Sequence, residues 1–419
     1  MYPWLLVGQI ERAATGQTKK TLRWEVPALR AGLNPPLENL FQAFSVGGGA
    51  GIVTKNGTLV FPVKAVTKEG KEVSLVMYSS DPEENWRLSR GMSAGGCVDP
   101  AVVEWGSGRL LMMASCEEGH RSVYESGDMG ETWTEALGTL SRVWGNSPER
   151  DGSGVQGGFV AATIEERNVM LVTLPAHSTA KTNGQLHLWL TDAAHVVDVG
   201  PVSDASKHAA GSALLHTGGK DLISLQELYS VVGDAVGVFD GIYLARLTDM
   251  AERVKSVVRA WREADSNLPM ACTQPVKSAA GKGDCGVPMP TAGLVGFLSG
   301  TVAGGQWKDE YLGVNATVRG VARTASNGLT FNGGGAGAEW PVGRQGQNQR
   351  FHFANYNFTL VATVSIDAVP TGGRGIPVMG ARLSGEGEGT ILLGLSCAAD
   401  GWEVTFNGVK TMQGVPWRS

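Results

Sequence analysis

This chain lacks several features that would readily place a protein. No apolar run approaches the roughly 20 residues needed to cross a bilayer as a helix; the stretch from Ala292 to Leu298 is far too short. No run of lysines or arginines stands out and the formal net charge is -5, which argues against a nucleic-acid partner. The start, Met1-Tyr2-Pro3-Trp4-Leu5-Leu6-Val7, has no basic leader and its apolar run stops at Gly8, so no signal peptide is read there. It reads as the middle of a strand, and the sequence is expected to be part of a longer protein. Charged residues make up only 18% of the chain, but 42% hydrophobic residues exclude a disordered one. The five cysteines have no C-x-x-C spacing, so neither a metal site nor another cofactor is expected.

What is present is β-structure. The 59 glycines among 419 residues suit many short strands joined by tight turns. Up to residue 247, short runs such as Thr58–Val63, Ser74–Tyr78, Arg109–Met113 and Val169–Val172 alternate with polar turns. Lys55-Asn56-Gly57-Thr58 carries the Asn-Gly signal of a two-residue hairpin. Asp249–Glu263 breaks the pattern: Met250, Val254, Val257, Val258 and Trp261 fall on one helical face, with Thr248 or Asp249 as cap. Residues 248–285 therefore read as a linking helix and loop. In that loop Cys272 and Cys285 bracket a Gly/Lys/Ser stretch, an easy span for a disulfide; five free, buried thiols is the other reading. From Thr291 strands resume, and Phe358–Ile366 is a long β-rich run of the kind found in lectin-like sandwiches. Sequons at Asn56, Asn315 and Asn357 suit a secreted or cell-surface protein.

The most specific stretch is Ser126-Gly127-Asp128-Met129-Gly130-Glu131-Thr132-Trp133. It fits S-x-D-x-G-x-T-W at every defined position, a pattern similar to the Asp-box of sialidase-type β-propellers. The chemistry is that of a turn. Asp128 accepts backbone N–H groups, Gly130 takes a positive φ, Thr132 restarts a strand, and Trp133 pins the hairpin to its neighbour. Ser79-Ser80-Asp81-Pro82-Glu83-Glu84-Asn85-Trp86 is a decayed copy that keeps Ser, Asp and Trp. The two boxes start 47 residues apart, close to one four-stranded blade.

The chain as a whole resembles the trypanosomal trans-sialidase superfamily. The matching runs are Val123–Ser126 through Trp144-Gly145, Leu188-Trp189-Leu190-Thr191-Asp192, Gly293–Ser299, and Trp340-Pro341-Val342 with Gln345–Tyr356. The resemblance implies an all-β fold. A six-bladed propeller lacking about its first blade would occupy 1–247. The linking helix and disulfide loop follow at 248–285, and part of a concanavalin-like lectin jelly roll at 286–419. The family's linker disulfide fits Cys272 and Cys285.

It also implies a site. Three arginines grip the carboxylate of sialic acid, a Tyr is the nucleophile, a Glu takes its proton, and an Asp is the acid/base. The resemblance places the first arginine and the acid/base Asp in segments N-terminal to those present here. The Glu position falls on Asp99, in Gly96-Cys97-Val98-Asp99-Pro100. The second arginine falls on Ser115, the third on Asn183, and an aromatic platform on Lys181. The nucleophile falls at Ala210 or Gly211, and the carboxylate that braces the first arginine is Glu227. Arg121, His120 and Tyr229 lie nearby as substitutes, although each also reads as a surface charge or a blade-packing aromatic. Loss of several catalytic groups removes orders of magnitude in rate each. The resulting expectation is a catalytically silent surface protein that binds sialylated or other host glycans and glycoproteins. It could be lipid-anchored through a signal beyond Ser419. The alternative is an active exo-α-sialidase or trans-sialidase with shifted residues. A lectin or adhesin role for the C-terminal part is compatible with the first reading.

Overall fold

Antiparallel meanders dominate, because sequence-adjacent strands joined by tight turns pair locally with little loop entropy to overcome. The computed structural model describes residues 7–12, 20–25, 41–46, 49–81, 85–137, 140–147, 152–177, 184–217, 221–232, 235–268, 291–311, 315–325, 328–340, 358–368, 375–383, 389–399 and 401–415. Two compact units divide the chain, residues 1–357 and 358–419.

In the first unit, Val7–Arg12 and Lys20–Glu25 form a two-stranded ribbon. Four propeller blades follow among the described residues. Blade I contains Phe41–Val46, Leu59–Thr67, Glu72–Asp81 and Asn85–Leu88, with the short Ile52–Val53 beside the second strand. Blade II is Cys97–Trp105, Arg109–Cys116, Arg121–Ser126 and Thr134–Glu135. Blade III is Gly158–Ile164, Arg167–His177, Gly184–Thr191 and Val196–Pro201. Blade IV is Lys207–Thr217, Asp221–Val232 and Ala235–Arg246. The expected all-β, sialidase-type propeller is what forms, followed by the helix and the lectin-like strands.

The Asp-box is the turn between the third and fourth strands of blade II. Asp128 Oδ1 accepts the Thr132 N–H at 2.9 Å and Oδ2 accepts the Thr132 hydroxyl at 2.7 Å. Ser126 Oγ accepts the Gly130 N–H at 2.8 Å. Gly130 has φ 85°, and a Cβ there would stand 2.8 Å from Ser89 and Val76 of blade I. Gly130 O also accepts the Gly91 N–H. The box thus closes one blade onto the one before it. Of the decayed copy, Ser79 to Asp81 end the third strand of blade I and Asn85 and Trp86 begin the fourth, with Trp86 buried in that blade's core.

The Asn-Gly hairpin differs from expectation. Gly57 N–H bonds Thr54 O, Gly57 alone takes positive φ at 86°, and Thr54 N–H bonds Thr58 O. This is a type I turn with a left-handed glycine, one residue longer than the expected loop, because Asn56 stays at negative φ.

The main core joins blades II and III. Trp144 and Trp189 meet edge to face, centroids 6.3 Å apart, among Leu140, Val143, Phe159 and Val172. Trp144, from a run that the sequence singled out, supplies half of this contact.

The helix runs Thr248–Asn267, four residues beyond its expected end. Val254, Val258 and Trp261 are buried against blades III and IV, and Met250 and Val257 are partly so. The cap position is Leu247, with no side-chain cap bond, rather than Thr248 or Asp249. Burial of the apolar stripe holds this end instead.

After the helix, Leu298–Ala303, Gln306–Asp309, Ala316–Ala325 and Gly328–Glu339 form a four-stranded sheet. The second unit contains Ile376–Arg382, Ile391–Ala398, Gly401–Phe406 and Val409–Val415. Phe358–Ile366 does not form a strand, and Val361 is exposed. β-propensity describes fit to a pleated, half-buried surface, and this run has no such surface to fit.

Candidate functional site

Blades II and IV meet beside one loop, Gly152–Gly157. Blade II contributes Ser115 and Arg121, which are register partners on adjacent strands. Arg121 is clamped on both sides of its backbone: its N–H bonds Trp144 O and its O accepts the Arg142 N–H, both at 2.9 Å. Its guanidinium is buried, and Nη2 donates to Val155 O at 2.6 Å. Of the two readings the sequence offers for Arg121, a substitute for the lost arginine or a surface charge, the second fails: the side chain is buried on the strand that pairs with Ser115. Burial pushes its pKa down to about 10, against the upward pull of Asp99. Ser115, buried, accepts the Gly154 N–H at 2.7 Å.

Asp99 lies on the bulge between Val98 and Ala101, with a left-handed φ of 52°. L residues rarely adopt that region, and such strain collects at functional positions. Burial raises the Asp99 pKa, opposed by the charges of Lys64 and Arg121.

Blade IV supplies the other half. The ladder slips between Ala209 and Ser212, so Ala210 and Gly211 together face Glu227 as a β-bulge. Ser212 N–H bonds Gln156 O, and a Gly211 Cβ would stand 3.0 Å from Glu227 Oε2. Tyr229 donates its hydroxyl to Glu227 Oε1 at 2.8 Å. That bond, with burial and the Glu227 charge, raises the phenol pKa. Tyr229 also meets Phe239 edge to face. His120 Nε2 lies 3.8 Å from Glu118 Oε2.

The structure therefore places Asp99, Ser115, Ala210 and Glu227 around a common region, with Arg121 and Tyr229 among them. Lys181, Asn183, Asn357 and the Cys272–Cys285 pair lie outside the described residues. Asn56 is exposed in its turn, and the Asn315 amide donates to Gln306 at 3.3 Å. Among the described residues no group of three or more His, Cys, Asp or Glu is arranged to hold a metal ion. Among them, too, no helix is long and apolar enough to cross a membrane.

Two features escaped the sequence. Cys97 and Cys116, cross-strand partners in blade II, form a disulfide that locks the strand ends carrying Asp99 and Ser115. The hint was there: each cysteine lies within two residues of a site position. The second feature is a polar junction of distant segments. Arg167 pairs with Asp192 at 2.6 Å and Asp265 at 2.7 Å, and lies 5.5 Å from the Trp261 ring centroid. His195 pairs with Asp192 at 2.9 Å and bonds Leu294 O at 2.8 Å. Tyr311 donates to Asp265.

Antiparallel blades closed by Asp-box turns define a sialidase-type propeller protein. Residues 5–227 match the family described as BNR repeat-like domain, and residues 290–419 match the family described as Trans-sialidase, C-terminal domain. The chain belongs to the trypanosomal sialidase and trans-sialidase superfamily. It is 36% identical to a sialidase of Trypanosoma cruzi over 94% of this chain and 33% of that protein. It is 33% identical to Sialidase 85-1.1 of the same organism over 99% of this chain and 53% of that protein. The chain thus spans a third to about half of these relatives. Trypanosoma rangeli sialidase superposes with a TM-score of 0.80 at 41% identity, over 99% of this chain and 65% of that one. The same sialidase in complex with sialic acid gives 0.79 at 41%, over 99% and 64%.

Proposed function

We propose that this chain is a glycan-binding member of the superfamily with no useful sialidase turnover, secreted or displayed at the cell surface. One observation carries the reading. Where the resemblance puts the second arginine and the nucleophile, this chain has a serine bonded to backbone and an Ala-Gly bulge facing Glu227. Neither grips a carboxylate nor attacks a sugar. Trypanosoma rangeli sialidase is known in complex with sialic acid, so terminal sialic acid is the first glycan to test. The disulfide in blade II and the exposed Asn56 sequon suit an oxidising, glycosylating compartment. The lectin-like part from about residue 286 supplies a second glycan-binding surface in this reading.

The experiment pairs a fluorogenic sialoside assay with a glycan array on the purified protein. Binding of sialylated glycans with turnover equal to a buffer control supports the reading. Steady turnover sinks it.

A second reading rests on the Tyr229–Glu227 hydrogen bond. A Tyr whose hydroxyl faces a carboxylate has the parts of a glycosidic nucleophile and its base. In this alternative Tyr229 Oη bonds to the anomeric carbon and gives its proton to Glu227 while the glycosidic C–O bond breaks; the aglycone leaves as an alcohol with a proton from water, and a water or an acceptor sugar then releases the glycosyl group from Tyr229, which makes the chain an active exo-α-sialidase or trans-sialidase.

A further inference from the structure

Arg121 borders a cavity of about 140 Å³, walled also by Asn146, Gly154, Val155, His208 and Ala209. The arginine is 3% exposed, and its Nε–H has no hydrogen-bond partner. Such a charge, out of water and incompletely bonded, is costly to hold. No carboxylate lies in ion-pair range of it among the described residues, although Asp99 is close enough to pull on its pKa. Asn146 is anchored by its amide nitrogen, which donates to Cys116 O and Gly152 O, both at 2.8 Å. That orientation leaves Asn146 Oδ1 as a buried acceptor with no partner. Asn146 Oδ1 and Arg121 Nη2 flank the same point, 2.7 and 3.0 Å from where a Gly154 Cβ would be. The cavity therefore offers one fixed cationic donor beside one fixed neutral acceptor.

We propose that this cavity binds a carboxylate that carries a neighbouring hydroxyl group, Arg121 taking the carboxylate and Asn146 Oδ1 accepting from the hydroxyl. The inference rests on the reading of the propeller as a receptor for acidic glycans, and it moves the anion contact from the Ser115 position to Arg121. Size limits the ligand. A cavity near 150 Å³ holds about one benzene, so it encloses the acidic end of a sugar and leaves the remainder outside. Both a free 2-hydroxy acid and the acidic end of a glycan present this chemistry.

The test follows the Arg121 Nε–H resonance by NMR in arginine-labelled protein, titrated with N-acetylneuraminic acid, its methyl ester, and lactate. The expected result is a saturable shift with the free sugar acid and a ten-fold or greater loss of affinity with the ester. A shift with lactate of similar affinity assigns the pocket to small hydroxy acids, and no shift with lactate assigns it to the glycan; both keep the proposal. Arg121→Met is expected to abolish binding without lowering Tm, because it removes an incompletely bonded buried cation. Ala209→Val narrows the cavity without touching the arginine and is expected to weaken binding at least ten-fold, should the methionine variant fail to fold. Sialoside binding that leaves the Arg121 signal unmoved and survives Ala209→Val overturns the inference and leaves the glycan-receptor reading intact. No binding of any sialoside to the whole protein overturns both.

Discussion

Glu227 faces Gly211 across the blade IV bulge, its Oε2 3.0 Å from the place a Cβ on that glycine would occupy. The carboxylate fills space that any larger residue at 211 would contest. Its other oxygen is held by Tyr229 at 2.8 Å. The bulge thus positions the surviving carboxylate, and the tyrosine that remains approaches it along the same strand rather than across the ladder.

That arrangement gives a direct test of the two functional readings. In the binding reading, Tyr229→Phe leaves sialoside turnover at the buffer level and glycan binding within about two-fold. In the catalytic reading it removes at least two orders of magnitude of turnover. Steady-state assays with the fluorogenic sialoside on both proteins separate the outcomes.

The Asp-box is expected to act on stability alone. Gly130→Ala forces a Cβ into φ 85° and against Ser89 and Val76, so it should lower unfolding free energy by about 1–3 kcal/mol. Asp128→Ala, which loses the two Thr132 bonds on an exposed turn, should lower it less. Urea denaturation measures both; equal effects would show that the turn's hydrogen bonds, not the blade contact at Gly130, dominate.

Removing the blade II disulfide with Cys97→Ala and Cys116→Ala together should lower stability by about 3 kcal/mol, the loop-entropy value for a closure of this length (sequence separation 19). Thermal melts of the double variant against wild type check it. A change in Tm of less than a degree would mean that the ladder alone holds those strand ends.

The junction of blade III, the helix and the following strands should respond to pH at both ends. Burial would raise the Asp192 pKa, but the His195 hydrogen bond and the His195 and Arg167 charges hold it at about 2, below the usual 3.8. The contribution is present above the usual value and is lost as pH falls through about 2, a loss of roughly 2 kcal/mol. His195 moves the other way. Burial would lower its pKa, but the bond to and charge of Asp192 raise it above the usual 6.5. Its contribution is whole below that value and fades as pH rises through the raised one. Wild type should therefore lose more Tm than Asp192→Asn on acidification, and more than His195→Gln on alkalinisation. Parallel curves would remove the junction from the pH response.

The decayed Asp-box shows what could be read from the sequence. Ser79 and Trp86 sit at a blade corner because turn chemistry is local: a few residues dictate it, so spacing alone revealed the blade. The helix was legible for the same reason, its apolar stripe repeating at helical spacing, whereas its cap was not, because burial of that stripe against two blades outweighs local capping. Phe358–Ile366 shows the limit from the other side: strong β-propensity produced no strand.

By itself, then, the sequence determined the elements whose causes are local: blade turns, the helix, and the family to which they belong. Tertiary structure decided the rest. Arg121 read equally as a substitute arginine or a surface charge in sequence, and only its place opposite Ser115 shows it turned inward; Ala210-Gly211 looked merely inert until the ladder slip set them against Glu227. Cys97 and Cys116 became partners only when their strands paired. Register is set by how one strand pairs with the next, and a shift of one residue sends every side chain to the opposite face, so a residue's immediate neighbours in sequence do not show where it points.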